Sequence, residues 1–105
     1  MRQEVLVDKR ARKELAKFPR VIQLKFQALL ETLQEQGKLA EPYAKKLANT
    51  SGLFEIRVKS NGQWRALYAY YGKGIIIILS AFAKKTQKTP AFELQKATSR
   101  LQDYE

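Results

Sequence analysis

Arg57, Arg65, Lys84 and Lys85, with Glu55 and several aromatic rings beside them, are the residues whose types and spacing could do chemistry. Glu55 and Arg57 lie two apart in a stretch that reads as a strand, so their side chains share a face. The turn Ser60-Asn61-Gly62 folds the next strand back and can bring Arg65 beside them. Lys84 and Lys85 follow the end of a third strand that lies next to the second. Such a set suits phosphodiester cleavage in RNA without a metal or a histidine. The substrate's own 2′-hydroxyl would attack the neighbouring phosphorus. Guanidinium forks would stabilise charge developing on the phosphoryl oxygens. Lysine or glutamate would help move the proton, and aromatic rings would hold a splayed base. Each residue also has a plainer reading. Arg57 and Arg65 suit structural pairing with Glu55, Lys84, Lys85 and Lys88 suit a solvated edge, and Trp64 and the tyrosines suit packing.

Composition narrows the chemistry. The chain of 105 residues has no Cys and no His. That removes disulfides, thiolate nucleophiles, zinc-thiolate sites, and the commonest general base and imidazole ligand. Carboxylates are few and scattered, so neither a metal site nor a cofactor is expected. No glycine-rich phosphate loop opens a helix. The net charge is +10. Residues 37–92 contain ten basic side chains and only two acidic ones, Glu41 and Glu55. An excess on the sheet segment, and not in a tail, points to a polyanion, most simply nucleic acid. Lys45, Lys46, Lys59, Trp64 and Lys88 are the further candidate RNA contacts. The charged amino terminus lacks a signal-peptide core, and the apolar run Ile75–Leu79 is too short to span a bilayer. A soluble cytoplasmic protein, with no membrane partner, is expected.

The elements that must position these residues are legible in order. Residues 3–7 read as a short strand, and Asp8 as the cap of a helix over 9–18 whose apolar face is Ala11, Leu15 and Phe18. Pro19 stops that helix and suits the first turn of a second, over 20–36. Ile22, Phe26, Leu29, Leu30 and Leu33 form its stripe, and Gly37 stands where a left-handed cap is wanted. Residues 38–52 read as a loop. Three strands, 53–59, 63–71 and 75–79, then form an antiparallel meander. On the first, Phe54, Ile56 and Val58 face the core, and Leu53, Glu55, Arg57 and Lys59 face a mostly charged side. The third is apolar on both faces and must be covered on each. A last helix, capped by Thr89 and opened by Pro90, supplies Leu94, Ala97 and Leu101 for that purpose, and residues 102–105 are expected to fray. The length prior gives one domain over 1–105, of α+β class, with an N-terminal strand and helical hairpin packed on a small, mostly antiparallel sheet.

At these residues a family pattern emerges. Lys46-Leu47, Gly52-Leu53-Phe54-Glu55-Ile56-Arg57, Trp64-Arg65-Ala66-Leu67-Tyr68 and Phe82-Ala83-Lys84-Lys85-Thr86-Gln87-Lys88-Thr89-Pro90 occur in this order. Together they resemble a HigB-type toxin of the phage-derived branch of the RelE/ParE superfamily. The resemblance runs over most of the chain, and the 82–90 segment is its most specific part. It implies a RelE-like fold and a type II toxin that enters the ribosome and cuts translated mRNA as an endoribonuclease. It also implies a cognate helix-turn-helix antitoxin of HigA type. Arg57 and Arg65 match the sheet arginines associated with binding and activity, Lys84 and Lys85 the basic positions after the last strand, and Glu55 the acidic residue of the first motif. Many relatives carry a catalytic tyrosine or histidine near the carboxyl end. Here His is absent and Tyr104 lies in the tail, so no general base is assigned. Two other classes stay open: a ParE-like inhibitor that binds gyrase, and a non-catalytic RNA-binding protein.

Overall fold

A computed structural model describes residues 2–105. The chain runs β1 (Glu4–Val7), α1 (Lys9–Ala16), α2 (Arg20–Gln36), β2 (Ala44–Lys46), β3 (Phe54–Lys59), β4 (Gln63–Tyr71), β5 (Ile75–Ala83) and α3 (Ala91–Gln102). The five strands form one sheet in the order β1-β5-β4-β3-β2. The β3–β4–β5 meander is antiparallel, as expected, and β1 pairs with β5 in parallel, while α1 and α2 carry the chain from β1 to β2 at the opposite edge of the sheet. The α+β architecture read from the sequence is thus observed.

The local signals act as the residues dictate. Asp8 accepts the backbone N–H of Arg10 at 2.8 Å and caps α1. Pro19 separates the helices, and the Gln23 amide ties them by donating to the carbonyls of Ala16 and Phe18. Gly37 closes α2 at φ 78°, the left-handed conformation that glycine adopts without penalty.

The sheet is buried on both sides. On one, Ala11, Ile22, Phe26 and Leu33 from α1 and α2 pack on Ile56, Ala66, Tyr68, Ile76 and Ile78. On the other, Ala97 and Leu101 of α3 pack on Leu53, Leu67, Ala69, Ile77 and Leu79. This second core answers the demand of a strand apolar on both faces.

Four expectations are corrected. Within the expected 38–52 loop, Ala44–Lys46 forms β2, an edge strand on β3. Three residues carry no readable alternation, and only the pairing makes them a strand. The expected charged side of β3 is half buried instead, because Leu53 and Glu55 lie wholly beneath the α3 layer. Thr89 does not cap α3, which has no side-chain cap at all; its hydroxyl donates to Glu55. The tail does not fray. The Tyr104 hydroxyl donates to Asp8 at 2.7 Å, its carbonyl accepts from the Tyr71 hydroxyl, and Asp103 pairs with Arg10 at 3.0 Å.

Candidate functional site

The β3–β4 register sets Arg57 directly opposite Arg65, and Glu55 opposite Leu67. Two cations facing each other across a ladder repel. Glu55, one pair further along the same face, answers that repulsion. Its Oε1 accepts from Arg57 Nε at 3.1 Å and lies 3.6 Å from Arg65 Nε, while Oε2 accepts from Thr89. The carboxylate is 0% exposed. It is held by its partners and acts on the two guanidinium groups, with no surface left for a substrate atom.

The arginines differ in access. Arg65 is 4% exposed, and its terminal nitrogens donate to the Trp64 carbonyl and to the Gln63 side chain. Burial lowers its pKa; Glu55 opposes that shift and Arg57 adds to it. Arg57 keeps 33% of its side chain open.

Lys84 reaches the same face because of a bulge. Leu67 pairs with Ser80 but Tyr68 pairs with Ile78, so β5 carries one extra residue. Upstream of it, Ile77 and Leu79 face α3; downstream, Phe82 does, opposite Arg65. Alternation then directs Lys84 toward Arg65, and its backbone N–H extends the ladder to the Gln63 carbonyl at 2.7 Å. Burial pushes the Lys84 amine below its ordinary pKa. Glu55 opposes the shift, and Arg65, Arg57 and Lys45 reinforce it. A lysine so placed gives up its proton more readily than one in water.

Arg57, Lys59, Gln63, Arg65 and Lys84 line a single cleft of about 470 Å³, closed by Pro42, Tyr43 and Gln87. An adjoining hollow of about 320 Å³ shares Arg57, Lys84 and Gln87, and adds Lys45, Lys46, Lys88 and Thr89. Lys85 opens onto a third hollow, shared with Gln63, Lys84 and Gln87. Nine of the ten residues singled out from the sequence therefore gather in one connected region. Trp64 does not. It alternates to the opposite face, where its ring packs 4.9 Å from Phe18 and its N–H donates to the Ser60 carbonyl. Thr89, Gln63 and Tyr43 were not anticipated. Thr89 was read as a cap, and only the tertiary pairing brings Tyr43 beside Arg57.

A second ionic cluster supports the bulge. Beyond Ile78, β5 has no β1 partner. Glu14 of α1 accepts the Ala81 N–H at 3.0 Å, and Arg100 of α3 donates to the Leu79 carbonyl at 2.8 Å. Glu14 and Arg100 join each other through two bonds of 2.9 and 3.0 Å. Among the described residues, no group of three or more Asp or Glu is placed to hold a metal ion.

Comparison with known proteins bears on the fold and the family. The model of the phage-derived Gp49-like proteins (DUF891) matches residues 13–102. No curated protein matches the chain significantly. Among solved structures, an arginine-to-alanine double mutant of E. coli toxin RelE in the free state superposes with TM-score 0.72 at 22% identity, over 96% of this chain and 99% of that one. RelBE2, a toxin–antitoxin complex from Mycobacterium tuberculosis, gives 0.63 at 21% identity, over 80% and 100%. The archaeal RelE–RelB complex from Pyrococcus horikoshii gives 0.61 at 25%, over 79% and 96%. The fold is RelE-like, and the match over most of the sequence makes the chain a member of the phage-derived Gp49-like family.

Proposed function

We propose that the protein is the toxin of a type II toxin–antitoxin system, of HigB type, and a ribosome-dependent endoribonuclease acting on translated mRNA in the cytoplasm. The observation that carries this reading is the convergence of Arg57, Arg65 and Lys84 on one cleft around a buried Glu55. The cleft is cationic, and its lining includes an amine of lowered pKa. In the reaction, the 2′-hydroxyl gives its proton to solvent water and its oxygen bonds to phosphorus as the bond to the 5′-oxygen breaks, leaving a cyclic phosphate and a 5′-hydroxyl. The Arg57 fork, and Arg65 behind it, stabilise charge on the phosphoryl oxygens. Lys84 gives its proton to the departing 5′-oxygen. Lys45, Lys46, Lys85 and Lys88 hold flanking phosphates. Glu55 and Thr89 position the arginines. No metal enters the scheme, in keeping with a sequence that lacks His and Cys. The RelBE complexes among the structural neighbours support a protein antitoxin as the partner, here a HigA-like helix-turn-helix protein.

The test is cleavage of mRNA on pre-formed ribosome complexes with EDTA present. The wild-type chain is expected to cut within the decoding site. Arg57→Ala and Lys84→Ala are each expected to slow cutting by about 10²- to 10³-fold while keeping the fold. Absence of cutting, together with stoichiometric inhibition of gyrase supercoiling, overturns the reading in favour of a gyrase-binding toxin.

A further inference from the structure

The phosphate cleft opens sideways into a second, drier cavity. This slot of about 240 Å³ lies between α2 and β3, with Ala28, Leu29, Val58 and the Tyr43 ring as its apolar walls and Lys25, Arg57 and Lys59 as its charged lining. Tyr43, Arg57 and Lys59 belong to both cavities. Tyr43 is 54% exposed, so its side chain is open to a ligand. Its position is nevertheless firm. The Arg57 N–H donates to the Tyr43 carbonyl at 2.8 Å, so ring and guanidinium spring from hydrogen-bonded neighbours.

We propose that this slot binds a nucleobase of single-stranded RNA, stacked on Tyr43, while the attached phosphate lies against Arg57 in the adjoining cleft. The chemistry of the walls selects the ligand. A flat apolar face with cations at its mouth, and no acidic residue in its lining, fits a base joined to a phosphate. Stacking is tolerant of sequence, and Lys25 and Lys59 lie within the slot to engage exocyclic oxygens or the neighbouring phosphate. Tyr43 therefore takes the role that Trp64, turned into the helical core, does not. The proposal rests on the RNA-cleaving reading of the adjoining cleft and names the group that reading leaves unplaced.

The test uses an uncleavable 2′-deoxy dinucleoside phosphate and its abasic counterpart, titrated into the full chain and followed by NMR. The base-bearing probe is expected to bind about 5- to 100-fold more tightly than the abasic one, with shifts at Tyr43, Ala28 and Val58. Tyr43→Phe should keep that preference, because the ring suffices. Tyr43→Ala should abolish it. Ala28→Phe, at an exposed helix position, should also abolish it by filling the slot, without touching the cations. Arg57→Ala should weaken both probes alike. Equal binding of the two probes by the wild-type chain overturns the proposal, as does base preference unchanged in both Tyr43→Ala and Ala28→Phe. Saturation of the slot by an antitoxin segment, with no base-dependent shifts there, also overturns it. Base-dependent binding without ribosomal cleavage would leave the slot standing and remove the nuclease; cleavage without base dependence would do the reverse.

Discussion

Lys84 carries the sharpest consequence at the scale of single residues. Its amine loses hydration by partial burial and stands among Arg65, Arg57 and Lys45, and Glu55 offsets only part of this. A depressed pKa means that the folded chain releases this proton at lower pH than the unfolded chain. The protonation of Lys84 thus opposes folding below the depressed value, and that cost is relieved as pH rises toward the ordinary lysine value. Activity has the opposite sign, because the donor must be protonated. The cleavage rate should fall as pH rises through a midpoint below 10.5, the ordinary value for lysine. A pH profile of single-turnover cleavage checks this, and Lys84→Arg should remove the alkaline limb while keeping substrate affinity. Glu55 teaches a related lesson. Its spacing to Arg57 was legible, and the shared face followed from it. Its complete burial was not, because that depends on α3 and Thr89 arriving from more than thirty residues away.

At the scale of elements, the β5 bulge decides which side chains reach the site. One extra residue opposite Leu67 switches the phase of the strand, bringing Phe82 and then Lys84 to the face of Arg65. Sequence periodicity does not reveal it, since Ile75–Leu79 is apolar on both faces and offers no alternation to break. The bulge is held from both layers by Glu14 and Arg100. Burial raises the Glu14 pKa, but the Arg100 guanidinium and the Ala81 N–H outweigh it and hold the carboxyl below its ordinary 4.5. The folded carboxyl therefore gives up its proton at lower pH than the unfolded one. Its stabilisation is complete above about pH 4.5 and disappears as pH falls through the depressed value. Glu14→Gln should cost about 2 kcal/mol near neutral pH, because Arg100 is left partly buried without its bidentate partner. The loss should shrink in acid, as denaturant titrations at pH 7 and pH 3 would report. A double-mutant cycle with Arg100→Gln should give coupling of about 1 kcal/mol or more.

Across the whole molecule, the net charge of +10 is concentrated around one opening. Cations clustered at the mouth of a low-dielectric cleft focus the field and hasten the approach of a polyanion. With about four phosphate contacts to single-stranded RNA, log K should fall with log salt at a slope of about −3. Raising salt from 50 to 200 mM should then weaken binding on the order of 50-fold, measurable by anisotropy of a labelled oligonucleotide. A slope near zero would assign the excess charge to solubility alone. No helix among the described residues is long and apolar enough to cross a membrane.

Helices, turns and the three-strand meander are written locally, in periodicity, in proline and glycine placement, and in the spacing of strands and turns. These rest on contacts a few residues long, and the sequence alone determined them. Only the tertiary structure decided that β2 exists, that Trp64 faces the helices, that Thr89 serves Glu55 instead of α3, and that Tyr43 lies beside Arg57. Each of these depends on which distant segment fills a given face or completes a given hydrogen bond, and such pairing is a property of the packed sheet, not of any one stretch of chain.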